Sequence, residues 1–503
     1  RFIVYQILVT FRWKFFSADV KSAFLQGDDI VETEGIRIFG KPNADMRRRL
    51  SRMMGLKPSQ ILRMRKPTFG DVRAPRQWNN KATSTMENIG FVGHPLDKCI
   101  FLSFREPVEE DSDFVRSTDV SGRIWVLDGI LGLHVDDYGG GGAGLLAVED
   151  LQQEAAPETF LWRCQLLSQS FKFGKWNFSN SQIFTGTEVY QSDCRGVIET
   201  GLESYLHKCK PLSIEKNRRA EAEATGTPKE QSQYRGLCGT LAWPAAQVAV
   251  HGAATVSLAQ AAGGKCTISD MLALNKSLRF MKENSDLVLR FVNVGPPEDL
   301  RLGSYFDGAW ASRPDLSSQI GTLLFVVNDA VLDSGNAAPI VVLDYGSRKA
   351  PRVARSSLSV EGQAGATAVD SLEWAKTFMA LVFEPWTSPD DPMLAKKFGR
   401  SPLVTDARAL YDAAKSRSAG LGCTEKRTAI EVLMINERLA AIDGYWLWVN
   451  TTQQLADGLT KSSVRQKFAD ILRRGYHCLK FDPTFTAGKK LTKEDHARCE
   501  AGL

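Results

Sequence analysis

Apolar and polar positions break the chain at a few sharp points. An apolar run at Phe2–Phe11 ends in Arg12 and Lys14. About ten residues cannot span a bilayer, and no small-residue cleavage site follows, so the run predicts a buried helix or strand. Two strand-like segments, Cys99–Phe104 and Arg123–Val135, flank the acidic stretch Glu106–Asp113, which predicts a surface hairpin loop. Gly139–Gly142 is four consecutive glycines and reads as a flexible turn. Lys216–Gln233 is polar and charged and predicts an exposed helix and linker. Asn293–Asp299 (NVGPPED) is a break ahead of a new strand.

From there, strand-like runs alternate with helical ones. Leu300–Phe306, Gly321–Asn328 and Ile340–Tyr345 are rich in Val, Leu and Ile and predict strands. Ser359–Phe383 predicts a helix, with Ser356 and Ser357 available to cap it. Pro402–Thr405 predicts a short strand, Ala407–Lys415 and Glu425–Ala441 helices, and Tyr445–Val449 an aromatic strand. The order gives a mixed sheet with helices packed on it, an α/β chain of the mixed α+β kind. No repeat period or heptad array is present.

Composition narrows the class. The 503 residues are 43% hydrophobic and 24% charged, ordinary globular values that suggest two to four domains. Residue 1 is Arg, so the sequence reads as a fragment of a longer frame, soluble and intracellular (cytoplasmic or nuclear). Nine scattered cysteines without a CxxC pair read as reduced thiols rather than a disulfide scaffold. His477-Cys478 and His496-x-x-Cys499 supply four soft ligands, but adjacent His-Cys is poor zinc spacing. The net charge of +5 is unremarkable, but its distribution is not. Between Lys41 and Lys81 stand four Lys and eight Arg against Asp45 and Asp71. Such a patch suits phosphate binding, because each neutralised phosphate releases counterions; a solvated helix face around Arg47–Arg52 is the plainer reading.

Two strand ends carry acids. Ser17–Gly27 (SADVKSAFLQG) delivers Asp19, and Ile130–Tyr138 (ILGLHVDDY) delivers Asp136 and Asp137. Adjacent acids at a strand end are costly unless a cation sits between them. Three such carboxylates could hold two Mg²⁺ (or Mn²⁺) roughly 4 Å apart.

The surrounding residues resemble the reverse transcriptase of copia-type retrotransposons. The family's DVKTAFL stands as Asp19–Leu25, its YVDD as His134–Asp137, its YGLKQAPRQW as Phe69–Trp78, and its YRSIVGSL as Tyr234–Leu241. The resemblance implies a right-hand polymerase palm and thumb. Asp19, Asp136 and Asp137 would be the metal ligands, with Val20, Phe24 and Arg73 at the dNTP. Phe24 would exclude a ribose 2′-hydroxyl, and Arg76, Trp78, Lys175 and Trp176 would lie near nucleic acid. His134 and Arg73 depart from the family's tyrosine and glutamine. The glycine run replaces an apolar strand, so that limb is expected to be poorly formed. The chain begins 18 residues before Asp19, so the family's fingers segment is expected to be absent.

Four further acids fall at element ends: Asp307 (GSYFDGAW), Glu361 (SSLSVEGQ), Asp406 after Pro402–Thr405, and Asp457 (QQLADGLTK). They resemble, in order, the SDADWAG, SSTEAEY, YCDNQSA and ADILTK motifs of the same elements' RNase H. That implies a two-Mg²⁺ hydrolase cutting RNA paired to DNA, gripping the hybrid through backbone and 2′-hydroxyl contacts. The domains expected are a palm over 1–215, thumb or connection over 216–299, an RNase H-like domain over 300–465 and a basic tail over 466–503. RNA template, DNA primer, RNA–DNA hybrid, dNTPs and other parts of the same polyprotein are the implied partners, without a membrane. The competing reading is a decayed or co-opted nucleic-acid-binding module without polymerase activity, or one keeping RNase H alone.

Overall fold

A computed structural model describes residues 1–55, 57, 60–416 and 425–479. The chain is mixed α/β and divides into two compact units. One comprises Trp13–Asp111 and Ser121–Ser179; the other comprises Arg1–Arg12, Ser112–Val120 and the described residues from Asn180 onward.

The first unit is built on an antiparallel sheet. Its strands run in the order Val92–His94, Asp97–Arg105, Ile124–His134, Asp137–Gly142, Phe16–Val20 and Phe173–Asn177. Alternation along Phe16–Val20 buries Phe16, Ala18 and Val20 and leaves Asp19 exposed. In the helix Ala74–Asn88, Ala74, Trp78, Ala82 and Met86 recur every fourth residue and form one buried stripe. They share a core with Phe160, Cys164 and Leu167 of the helix Phe160–Ser170.

Gly139–Gly142 is not a flexible turn, and the limb it forms is well made. These glycines lie in the strand Asp137–Gly142, buried and paired with Ile124–His134 on one side and Phe16–Val20 on the other. The reason is steric. A Cβ on Gly142 would stand 2.4 Å from the Phe160 ring, and one on Gly129, its register partner, 1.9 Å. A Cβ on Gly140 would stand 2.0 Å from the Ile130 carbonyl oxygen. The space that side chains at Gly129 and Gly142 would fill is taken by one phenylalanine from the facing helix, and that at Gly140 by the backbone of the neighbouring strand.

In the second unit an antiparallel sheet orders Ser181–Phe184, Thr187–Gln191, Val197–Gly201 and Leu289–Val292. The apolar N-terminal run is the helix Phe2–Thr10; its Phe2 and Tyr5 rings lie 5.3 and 5.5 Å from Phe291. Since Val197–Gly201 pairs with Leu289–Val292, residues on both sides of the expected boundary at 215 share one sheet. Between them, the helices Pro228–Gln247, Val250–Ala262 and Ile268–Glu283 enclose their own core around Tyr234, Leu241, Met271 and Leu278. Capping boxes at Thr227/Glu230 and Thr267/Asp270 fix the starts of the first and third.

A five-stranded sheet follows in the order Val341–Lys349, Gln319–Asn328, Leu300–Ala309, Ser401–Thr405 and Gly444–Trp448. The first three are antiparallel, and the last two run parallel to Leu300–Ala309 and to each other. The helix Ser357–Phe383 starts where the Ser359 N–H donates to Ser356 Oγ at 3.1 Å. Every strand and helix expected from Leu300 onward is present, with bounds shifted by a few residues. Among the described residues, no helix is long and apolar enough to cross a membrane.

His477 and Cys478 sit in the strand Tyr476–Cys478, where successive side chains point to opposite faces. His477 Nε2 lies 2.9 Å from the Gln453 carbonyl, and the Cys478 thiol donates to Gly335 O. The two cannot share a zinc ion; His496 and Cys499 lie outside the described residues. His251, on the helix Val250–Ala262, is also buried. Burial pulls both rings down to about 4. An unfolded histidine titrates near ~6.5, so the unfolded chain binds protons between these values that the folded chain refuses. The stabilisation is full above pH ~6.5 and is lost as pH falls toward 4, by ~3 kcal/mol per ring. Urea midpoints in EDTA should therefore drop steeply from pH 7 to 4.5, and His251→Gln should flatten the slope. A wild-type stability flat over that range would contradict the neutral burial of both rings.

Two candidate carboxylate sites

The first site lies in the first unit at a hairpin tip. His134 pairs with Asp137, so Val135 and Asp136 form a two-residue turn. Val135 takes φ +58°, a left-handed conformation costing a β-branched residue ~1–3 kcal/mol. The turn is pinned from two directions: Trp78 Nε1–H donates to the Val135 carbonyl, and the Val20 N–H donates to the Asp136 carbonyl at 2.9 Å. Asp19 is the register partner of Asp137. Asp19, Asp136 and Asp137 each offer a carboxylate oxygen within 4.8 Å of the others. Burial, then the charges of Asp136 and Asp19, raises the Asp137 pKa. Three hard oxygen donors crowded at this spacing suit Mg²⁺ or Mn²⁺.

The other residues expected here divide. Phe24 is nearly buried, its ring 4.8 Å from that of Phe69. The Arg73 guanidinium lies 3.2 Å from Asp71, whose carboxyl is held low by the Arg73 N–H and then by that side chain. Arg76 and Lys175 are exposed. Trp176 is half-buried and stacks on Phe16 at 5.2 Å. Trp78 does not present a ring to nucleic acid: it is 1% exposed and wedged against Phe171, and its contribution is to hold the Val135 carbonyl. In the basic stretch, the helix Ala44–Met54 has no buried residue. Arg48, Arg65, Arg73 and Lys81 are ion-paired to Asp45, Asp29, Asp71 and Asp28.

The second site belongs to the five-stranded sheet of the second unit. Asp307 lies near the end of Leu300–Ala309, Glu361 in the first turns of Ser357–Phe383, Asp406 just past Ser401–Thr405, and Asp457 in the 3-10 turn Leu455–Leu459. Gly308 makes the first meeting: a Cβ there would come within 2.9 Å of the Glu361 nitrogen, so only glycine lets the helix start close against the strand. Asp307 is 1% exposed. Burial raises its pKa despite Lys461 and the Thr460 hydroxyl, and Asp406 adds to the rise. Burial, then Asp307 and Asp406, pushes Glu361 well up. Burial, then Asp307, pushes Asp457 up to about 7. Glu361 Oε2 is buried without a hydrogen-bond partner. An orphaned carboxylate oxygen among buried acids fits a cation site. Among the described residues, the four acids do not reach the mutual 4.8 Å spacing met by the first three.

Three residues of this cluster went unassigned in the sequence. Gln454 Nε2 donates to the Phe306 carbonyl at 3.0 Å and to Asp406 Oδ1 at 3.4 Å, tying strand to acid. Thr460 donates its hydroxyl to Asp307 Oδ2. Lys461 Nζ lies 2.5 Å from Asp457 Oδ1 and 3.4 Å from Asp307 Oδ2. Thr460 and Lys461 fall inside the ADGLTK segment and were the legible signal.

No protein-family model matches the chain, and no curated protein does. Solved structures give weak similarities. The N-terminal RNase H domain of a Mycobacterium tuberculosis protein, solved fused to maltose-binding protein, is 12% identical over 35% of this chain and 97% of that one, with a TM-score of 0.22. RNase H1 from Halobacterium salinarum is 16% identical over 33% and 98%, TM-score 0.22. A foamy viral protease–reverse transcriptase bound to RNA/DNA hybrid is 10% identical over 95% of this chain and 46% of that one, TM-score 0.40.

Proposed function

We propose that the chain is a reverse transcriptase and RNase H of the copia-type retrotransposon kind, with one carboxylate site for each activity. The observation that carries this is the convergence of Asp19 with Asp136 and Asp137, residues far apart in sequence, to within 4.8 Å. A turn strained at Val135 and pinned by Trp78 and Val20 makes sense where acids must be held at fixed spacing. The second site supports the reading independently, since its acids stand at the motif positions and leave Glu361 Oε2 wanting a cation.

In the polymerase site Asp19, Asp136 and Asp137 would hold the metal. A bound divalent ion neutralises phosphate charge and activates the attacking oxygen. The protein's own residues do the positioning. The Val20 N–H fixes the Asp136 backbone, and Phe24, braced by Phe69, would face the sugar of an incoming dNTP. Exposed Arg76 and Lys175 are available to the backbones of template and primer. In the nuclease site Asp307, Glu361, Asp406 and Asp457 would hold the metal, and Gln454 orients Asp406.

Primer extension on an RNA template tests the polymerase and its sugar discrimination together. Wild type should extend with dNTPs and reject rNTPs. Phe24→Ala should admit rNTPs about tenfold more readily, because the ring would exclude the 2′-hydroxyl sterically. Unchanged selectivity in an active Phe24→Ala chain would make the ring a core residue only.

A further inference from the structure

We infer that the Lys461 ammonium is the resident cation of the metal-free acid cluster, and that a divalent ion reaches Asp307 and Asp457 only by displacing it. This rests on reading the cluster as a metal site. The ammonium contacts both acids, at 2.5 Å from Asp457 and 3.4 Å from Asp307, and so occupies the side of the cluster between them. Buried carboxylates at this density cannot stay charged without a counter-charge. Lys461 supplies one, and the Thr460 hydroxyl supplies a hydrogen bond to the same Asp307 oxygen. Lys461 contacts Asp307 and Asp457, and Glu361 Oε2 is left without a partner. The cluster therefore keeps its attraction for a doubly charged ion.

The lysine is also placed to leave. The side chains of Asp307 and Asp457 are 2% and 10% exposed, whereas that of Lys461 is 39% exposed, so it enters from the solvent side. Its backbone is fixed by the Lys461 N–H donating to the Asp457 carbonyl at 2.9 Å. Only the flexible four-carbon stem has to swing out. The device keeps the empty site folded and lowers its affinity for metal.

The test is Mn²⁺ binding to the full-length chain, followed by electron paramagnetic resonance of the free ion. The first site is silenced by Asp136→Asn and Asp137→Asn. In that background Lys461→Met, which keeps the stem and removes the charge, should bind Mn²⁺ about tenfold more tightly, since a like charge at contact range has been removed. It should also melt several degrees lower in EDTA and gain more from Mn²⁺. Lys461→Arg should behave as the parent. Parent binding that Asp307→Asn abolishes, with Lys461→Met no tighter, would overturn the inference and leave the metal site standing. No Mn²⁺ binding beyond that of Asp307→Asn in parent and Lys461→Met alike would remove the metal-site reading and the inference with it.

Discussion

Asp136→Asn should abolish primer extension while leaving the fold intact, with a loss of about 1000-fold or more. The magnitude follows from losing several kcal/mol of metal-mediated charge stabilisation, at about 1.4 kcal/mol per tenfold. The amide keeps the side chain's shape, and the contact fixing the turn here is made by the Asp136 backbone carbonyl, which the substitution leaves untouched. Melting temperature should hold or rise, because the three acids repel one another: after burial, the charges of Asp136 and Asp19 add to the rise in the Asp137 pKa. Full extension by a folded Asp136→Asn chain in Mg²⁺ would exclude this carboxylate from the polymerase chemistry.

Asp307→Asn and Asp406→Asn should each reduce cleavage of RNA paired to DNA by a similar factor. Asp307 is the more informative. It is the acid contacted by both Thr460 and Lys461, and its charge contributes to raising Glu361 and Asp457. Substitution to Asn should let both neighbours ionise more easily, so the metal-free chain should not lose stability. Loss of cutting without loss of melting temperature separates metal holding from core packing. Assays at high protein concentration with Mn²⁺ guard against weak binding of hybrid. Cutting by both variants at the wild-type rate would refute the four-acid assignment.

Much of the second half was legible because its strands are runs of Val, Leu and Ile between polar breaks, and Asp307 and Asp406 fall near the ends of two of those runs. The first unit was legible at its acids and illegible at its glycines. Gly139–Gly142 has the composition of a turn; the Phe160 ring beside Gly129 and Gly142 and the Ile130 carbonyl beside Gly140 fit it as a buried strand. That ring comes from a helix some twenty residues downstream, a relation invisible to local pattern. Trp78 misled for the same reason: within its motif it reads as a contact residue, whereas its stripe with Ala74, Ala82 and Met86 turns it inward. The pairing of Val197–Gly201 with Leu289–Val292 closes across four α-helices and joins residues on both sides of 215 in one sheet, a relation that local sequence breaks do not carry. Lys461 stood in view inside ADGLTK, but its meaning depends on the burial of Asp307.

On the function proposed, one chain would hold two carboxylate sites, each sufficient for its own chemistry. The most direct measurement is a crossed assay on one substrate, a DNA primer on an RNA template with separate labels on each strand. Wild type, Asp136→Asn and Asp406→Asn are compared in Mg²⁺ and in Mn²⁺. Asp136→Asn should stop primer growth and still cut the RNA, and Asp406→Asn should still extend the primer and leave the RNA whole. Variants that each lose both activities while remaining folded, or a wild-type chain that neither extends nor cuts, would contradict the function proposed.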